Sequence, residues 1–269
     1  MPVQEISQTP SIHRSERVTA ILDRLACGGS VNVAGIARDL GVSVATIRRD
    51  LTMLDEQNLL IRTRGGAVGR DIAYELPVRY RDNQGRAAKC AIARMALRAL
   101  TPGRHVVALN GGTTTSEVAR LLATRTELTV VTNALNIAGI LVNRPRVKLL
   151  VTGGVARSNS YEMVGPLAEV IVGRFNVDTA FIGIDGISAA GGLSTHDEVE
   201  AHTNAVIIGR ARRVVVVADG SKVGRRHLAH VVGLDAVDEL VTDASADPAE
   251  LAAIAARGVQ VRVAEPLRR

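Results

Sequence analysis

Residues 43–51, SVATIRRDL, constrain this chain more than any other stretch, because they read as the second helix of a helix-turn-helix. Ser43 is a good N-cap, its side-chain oxygen able to accept a backbone N–H of the first turn. Val44, Ile47, Leu51 and Leu54 then recur at helical spacing and predict one face anchored in a small core, with Thr46, Arg48, Arg49 and Asp50 on the opposite face. Upstream, Val33, Ile36, Ala37 and Leu40 predict a shorter amphipathic helix ended by Gly41. The tight turn that remains before Ser43 lets the two helices cross steeply, as a reader of the major groove requires. Val18, Ile21, Leu22 and Leu25 supply a third apolar stripe, enough for a three-helix core.

Directly after these helices, residues 59–67, LLIRTRGGA, predict a strand, a Gly-Gly turn and a return strand, a wing with Arg62 and Arg64 near its tip. Arginines there can neutralise phosphates or enter the minor groove and so fix the register of the helix beside them. An arginine pair on a loop is otherwise only a solvated surface; beside a capped helix carrying two more arginines it points to DNA. The expected DNA contacts are Ser43, Val44, Thr46, Arg48, Arg49, Arg62 and Arg64. Charge agrees: residues 1–106 hold 16 Lys and Arg against 10 Asp and Glu, whereas residues 107–269 hold 17 of each, so the whole excess of +6 lies in the first part. Aromatic residues make up 2%, too few for base stacking on aromatic platforms, which favours duplex DNA over single strands or RNA.

With 269 residues, 46% of them hydrophobic, the chain has room for that small module and one larger domain with a substantial core. Cys27 and Cys90 share no metal-ligand spacing, and neither a signal-peptide pattern nor an apolar run of membrane length is evident, so a cytoplasmic protein with no metal, no cofactor and no membrane partner is expected. The organisation read from the chain is a winged helix-turn-helix over 13–69, a polar linker over 70–88 that contains Pro77 and RYRDNQGR, and a second domain over 89–269 that opens on a helix with Ile92, Met95, Ala96 and Ala99 on one face. In that domain the apolar runs HVVALN, LTVVTN, VKLLVTGG, VDTAFIGIDG, RVVVVADG, ELVTDA and VQVRVA alternate with helical patterns, which predicts a mostly parallel sheet covered by helices. The fold class is α/β.

Ligands of such sheets sit at the carboxyl ends of the strands. There the sequence has Asn110, Gly111, Gly112, Thr113, Thr114 and Thr115, just ahead of a helix: glycines that let backbone N–H groups approach an anion, and hydroxyls that add donors at a helix N-terminus. The loop lacks the lysine of a P-loop. Thr132 and Asn133, Gly153 and Gly154, then Asp185 and Gly186 end further strands; each alone is ordinary turn chemistry, but their recurrence points to a binding site.

Taken in order, TIRRDL, RTRGGA, GGTTT, VVTNAL, VTGG, FIGIDGI, GGLSTHDEVEA and ADGSKVG make the chain resemble the DeoR-type bacterial transcriptional repressors over nearly its whole length. The resemblance implies a winged helix-turn-helix followed by a sensor domain similar to ribose-phosphate isomerases and glucosamine-phosphate deaminases, which binds a phosphorylated sugar and thereby controls operator affinity. It also implies that the GGTTT loop holds the phosphate and that Asp185, Glu200 and Lys222 line the sugar end. Two positions depart from the family pattern: Asn110, where aspartate is more frequent, and Asn204, where many members have lysine. Exchanging that lysine for an amide removes a like-charge penalty against an ammonium ligand, and STHDEVEA with Asn204 and TTTSEVARLL are most similar to the branch regulating N-acetylgalactosamine use. The partners expected are therefore double-stranded operator DNA, a phosphorylated sugar effector and further copies of the chain, since one recognition helix covers only a few base pairs. The rival is an isomerase- or deaminase-like enzyme with an accessory DNA-binding domain, using Asp185, Glu200, His196 and His202 as acid and base. No catalytic residue is expected.

Overall fold

The computed structural model describes residues 13–57, 59–69, 77–81, 85–100 and 103–265, in two compact units, 1–84 and 85–269. In the first, helix α1 (Arg14–Gly28) ends at Gly29, whose left-handed backbone (φ 68°) returns its N–H to Leu25 O. Strand β1 (Ser30–Asn32) runs into helix α2 (Val33–Asp39), which Asn32 caps by accepting from the N–H groups of Ala34 and Gly35 at 2.9 and 3.1 Å. Gly41 turns the chain, and Ser43 caps helix α3 (Val44–Glu56) by accepting Thr46 N–H at 3.1 Å. Strands β2 (Ile61–Thr63) and β3 (Gly66–Val68) form the wing hairpin, with Arg64 and Gly65 as its two-residue turn. β1 adds to β3 as a third antiparallel strand that the sequence pattern does not announce. Gly66 is obligatory there, since a Cβ would fall 1.9 Å from Val31 O.

Ile21, Ile47, Leu51, Leu54 and Leu60 are fully buried in this unit, each worth about 1.5–3 kcal/mol of burial. Two expectations fail. Val44 is 40% exposed rather than part of the core, because the first turn of α3 projects beyond it. Asp50, expected on the exposed polar face, is 3% exposed and paired with α1: its carboxylate takes Arg17 Nε at 2.8 Å and Arg17 NH2 at 3.3 Å, with Arg14 at 3.7 Å. Leu40 is half-buried against the core.

Of the expected linker 70–88, residues 70–76 and 82–84 lie outside the described residues; helix α4 (Val78–Arg81) and the start of helix α5 (Arg86–Ala96) fall within it. Ala99, expected on the apolar face of α5, follows in a 3-10 turn, and its side chain is likewise outside the description.

The second unit continues with β4 (His105–Leu109), α6 (Thr113–Leu122), β5 (Leu128–Thr132), α7 (Leu135–Leu141), β6 (Val147–Val151) and a hairpin of β7 (Val155–Ala156) and β8 (Met163–Val164). Then come α8 (Pro166–Val172), β9 (Val177–Ile182), β10 (Gly186–Ser188), β11 (Gly192–Thr195), α9 (Glu198–Gly209) and β12 (Ala211–Val217). β13 (Ala229–His230), β14 (Glu239–Asp243), α10 (Pro248–Ala256) and β15 (Gln260–Ala264) complete it. The seven apolar runs of the sequence are the seven strands of one parallel sheet, ordered β15-β14-β12-β9-β4-β5-β6. Strand residues alternate between two cores: Leu109, Phe181 and Val215 face α5, α6 and α7, while Ala108, Ile182 and Val216 face the side of Ile207, Ile208 and Ile254. From β4 the chain order runs one way to β5 and β6, and from β9 the other way to β12, β14 and β15, so the order reverses between β4 and β9. A crevice opens at the carboxyl ends of strands at such a reversal.

Candidate functional site

In the first unit, the exposed end of α3 carries the proposed contacts. Arg48 and Arg49 are exposed, Thr46 is half-exposed with its hydroxyl 2.8 Å from Ser43 Oγ, and Val44 adds an apolar spot suited to a thymine methyl. Arg64 stands exposed in the wing turn. Arg62 is exposed yet anchored: its NH1 donates to Thr52 Oγ1 at 2.9 Å, and Thr52 in turn donates to Arg48 O at 2.9 Å. Asp50 belongs to the support of this helix, locking its inner side to α1.

In the second unit, the strand reversal is stitched by Asn110. Its amide donates to Gly183 O at 2.9 Å and accepts Gly183 N–H at 2.7 Å, a two-way bridge that an ionised aspartate could not make because it only accepts. Asn110 is thus spent on the fold. Thr132 is likewise occupied, donating to Leu109 O at 2.7 Å and accepting Ala134 N–H at 3.1 Å. Gly153 and Gly154 follow β6; a Cβ on Gly154 would lie 2.8 Å from Val164 O, so this glycine serves the close approach of β8. Gly186 plays the same part against Arg225 O at 2.5 Å.

Donors remain at the start of α6. Gly112 is its N-cap, and the first-turn N–H groups of Thr113, Thr114 and Thr115 have no carbonyl four residues back within the helix. Thr115 and Ser116 turn their hydroxyls onto Gly112 O, at 3.1 and 2.6 Å, and Asn136 Nδ2 steadies Ser116 at 2.8 Å. Thr113 is half-buried and Thr114 buried.

The residues expected at the sugar end form a cluster of acids. Asp185 is 6% and Glu200 5% exposed, and the Thr195 hydroxyl lies 2.9 Å from one and 2.8 Å from the other. A hydroxyl carries one hydrogen, so two charged acceptors cannot both be served by it, and the pair is held by cations as well. Lys222 Nζ lies 3.7 Å and His196 Nδ1 3.0 Å from Asp185; Arg157 donates to Glu200 at 3.0 Å and meets Asp197 at 3.1 Å. Burial pushes the Asp197 carboxyl up, but the N–H of Glu200 and the Arg157 guanidinium outweigh it and hold the group below the usual range. His227 stacks on His196 with ring centroids 4.0 Å apart, and burial together with that neighbour lowers its pKa. His202, named beside His196 in the enzymatic alternative, is an exposed side chain 3.5 Å from Glu169.

The sequence reading missed Arg157 and Glu162, which lie on the short turn between β7 and β8. Glu162 is 1% exposed; its Oε1 accepts Gly111 N–H at 2.5 Å, and its Oε2 lies 3.3 Å from Asn133 Nδ2. Burial, then the nearby Glu200, push its carboxyl well above the ordinary range. Asn133 also donates to Met163 O at 3.2 Å, while its Oδ1 is buried without a partner, as is Oδ1 of Asn204 on α9. The site thus joins Gly111, Asn133, Asp185, Glu200 and Lys222 through Glu162, Thr195 and Arg157. Among the described residues no group of His, Cys, Asp and Glu could hold a metal ion, and no helix is long and apolar enough to cross a membrane.

The family described as the DeoR-like helix-turn-helix domain matches residues 17–72, and that described as the DeoR C terminal sensor domain matches residues 84–244. A protein of Escherichia coli O157:H7 described as a candidate aga operon transcriptional repressor is 36% identical over 250 residues, 92% of this chain and 93% of that protein. The glycerol-3-phosphate regulon repressor of Escherichia coli K12 is 32% identical over 231 residues, 86% of this chain and 91% of its own. Among solved structures, ribose 5-phosphate isomerase A of Methanocaldococcus jannaschii aligns over 50% of this chain and 52% of its own, at 18% identity and a TM-score of 0.38, too distant to bear weight.

Proposed function

The chain belongs to the DeoR family of transcriptional regulators, and from that membership we propose that it represses a carbohydrate-catabolism operon and is released from its operator by a phosphorylated sugar. The observation that carries the reading is the pairing, in one chain, of an exposed Arg48 and Arg49 on a capped and anchored helix with N–H donors and buried acids gathered at the strand ends of the sheet. Arg48 or Arg49 reads a base edge, each bidentate arginine to guanine being worth about 1–3 kcal/mol of discrimination. Arg62 and Arg64 hold the backbone at the flanking groove. The phosphate takes the N–H groups at the start of α6 and the hydroxyls of Thr113 and Thr114, while Asp185, Glu200 and Lys222 take the sugar. The acids, together with Asn204 in place of a lysine, suit an amino sugar.

The crevice is a binding site and not an active site on this reading. His196 and Asp185 are locked to each other, the cations are paired with acids, and His202 is turned away at Glu169. A homo-oligomer supplies the two or more heads that repeated half-sites require, and release follows from a change in how those heads are held. The test is a titration of affinity for an operator selected from random duplexes by the full chain, with and without galactosamine 6-phosphate, glucosamine 6-phosphate, tagatose phosphates and fructose 1-phosphate. Weaker operator binding with at least one of them, and no turnover of it, is expected; turnover would favour the enzyme, and tighter binding would reverse the sign of the switch.

A further inference from the structure

Residues 157–162 touch both ends of the crevice. The turn closes on itself, Arg157 N–H donating to Glu162 O and Tyr161 N–H to Arg157 O, each at 2.8 Å, so Arg157 and Glu162 are presented as one unit. Tyr161 holds a left-handed backbone (φ 60°), a conformation that costs a bulky residue energy and persists only where its surroundings impose it. At one end Glu162 covers Gly111 closely enough that a Cβ there would fall 2.5 Å from Glu162 Cγ. At the other, Arg157 bridges Asp197 and Glu200 at the N-terminus of α9.

We propose that this turn is an internal stand-in for the effector, placing a tethered carboxyl at the phosphate loop and a tethered guanidinium on the acid cluster, and that the effector displaces both. The inference rests on the crevice being the effector site. The groups the turn occupies also fix the ligand's charge pattern: an anion on the N–H donors of Gly111 and the start of α6, and a cation against Glu200 and Asp185, some distance away on the same molecule. A phosphorylated sugar bearing a free amino group has that pattern; its acetylated or hydroxyl counterpart does not.

Two observations support the reading. Asp185 has Lys222 and His196, and Glu200 has Arg157, whereas Glu162 makes no ion pair among the described residues although it is almost wholly buried. Its position is therefore set by the N–H of Gly111 and the amide of Asn133, donors that a phosphorylated ligand would use. The Asn133 amide that contacts Glu162 also leaves Oδ1 buried with no donor. Turning that amide over would set its oxygen against Met163 O, so the acceptor stays open until a ligand hydroxyl fills it.

Calorimetry on the full chain with inorganic phosphate, glucosamine 6-phosphate and glucose 6-phosphate tests this. Removing the tethered carboxyl by E162A is expected to tighten phosphate binding about tenfold, the worth of one charge-assisted hydrogen bond no longer contested, whereas E162Q, whose amide oxygen still accepts Gly111 N–H, is expected to bind phosphate as the natural chain does. R157M is expected to tighten glucosamine 6-phosphate by a similar factor and to leave glucose 6-phosphate unchanged. A folded E162A that binds phosphate no better than the natural chain, an E162Q that binds it as tightly as E162A, or an R157M that binds the amino sugar more weakly or both sugars equally better, overturns the stand-in alone. If none of the three ligands binds the natural chain or any variant, the effector-site reading fails and the stand-in fails with it.

Discussion

Replacing Asp50 by alanine should cost the DNA-binding unit about 3 kcal/mol, although Asp50 sits on the recognition helix and carries a charge. Its carboxylate is held by a two-pronged contact with Arg17, at 2.8 and 3.3 Å, and the two side chains are 4% and 12% exposed. Losing one member of so buried a pair leaves the other desolvated, which costs about 3–5 kcal/mol; the lower end applies because Arg17 retains an edge toward water. Arg14, whose side chain is 63% exposed at 3.7 Å, adds little. A unit of roughly 60 residues has only about 3–9 kcal/mol of stability in all, so the loss is a large part of it. R17M should cost nearly as much, and R17M/D50A should recover part of the sum, giving a coupling of about 2 kcal/mol. Urea titrations of the four proteins, followed by hydrogen exchange at the amides of α1 and α3, measure it. A coupling below about 0.5 kcal/mol would refute the view that this ion pair anchors the recognition helix. D50A losing specificity with its stability unchanged would mean that Asp50 reads DNA after all.

Further outcomes are expected. R48A/R49A should abolish operator binding in a gel-shift titration with the far-ultraviolet circular dichroism unchanged, whereas R62A/R64A should weaken all duplexes alike and reduce the salt slope by about 1–2. T113V/T114V keeps the shape of the loop and should weaken sugar-phosphate binding in calorimetry at least tenfold, one lost charge-assisted bond being worth about 1.5–3 kcal/mol. The raised pKa of Glu162, which faces Gly111, Asn133, Glu200 and Asp185, means that the folded protein keeps a proton the unfolded chain gives up. Its contribution to stability is therefore full below the ordinary carboxyl pKa and is lost as pH rises through the folded value. Urea midpoints at about pH 5 and pH 8 should differ less for E162Q than for the natural chain. Light scattering should return an oligomer at micromolar concentration.

The parallel sheet was legible because strands buried on both faces must be continuous runs of Val, Ile and Leu, and each such run is a strand. β7, β8, β10, β11 and β13 were not, since strands of two to four residues are too short to have a period to detect. That gap hid the most informative part of the crevice: Arg157 and Glu162 flank β7 and β8, and no pattern announces an acid that lies against a glycine loop far away in sequence. Asp50 was readable. It occupies the i+3 place in the stripe Ile47, Asp50, Leu51, Leu54, and two arginines wait in the first turn of α1, but its charge argued for the surface. Val44 shares the spacing of that stripe without sharing its burial, because spacing does not say where a core ends. For Asn110 the departure from aspartate carried a structural meaning: the amide bridges two strands in both directions, and only the geometry at Gly183 reveals it.

The Thr52 hydroxyl accepts from Arg62 of the wing and donates to the carbonyl of Arg48, so a single atom belongs to both parts of the reading head. Retargeting such a head to a new operator by exchanging only residues 46–49 leaves this joint set for the old helix. The helix proposed to discriminate and the wing proposed to grip are tied together at this joint, and a transplant that carries Thr52 and Arg62 with the helix should keep the affinity that a four-residue graft loses.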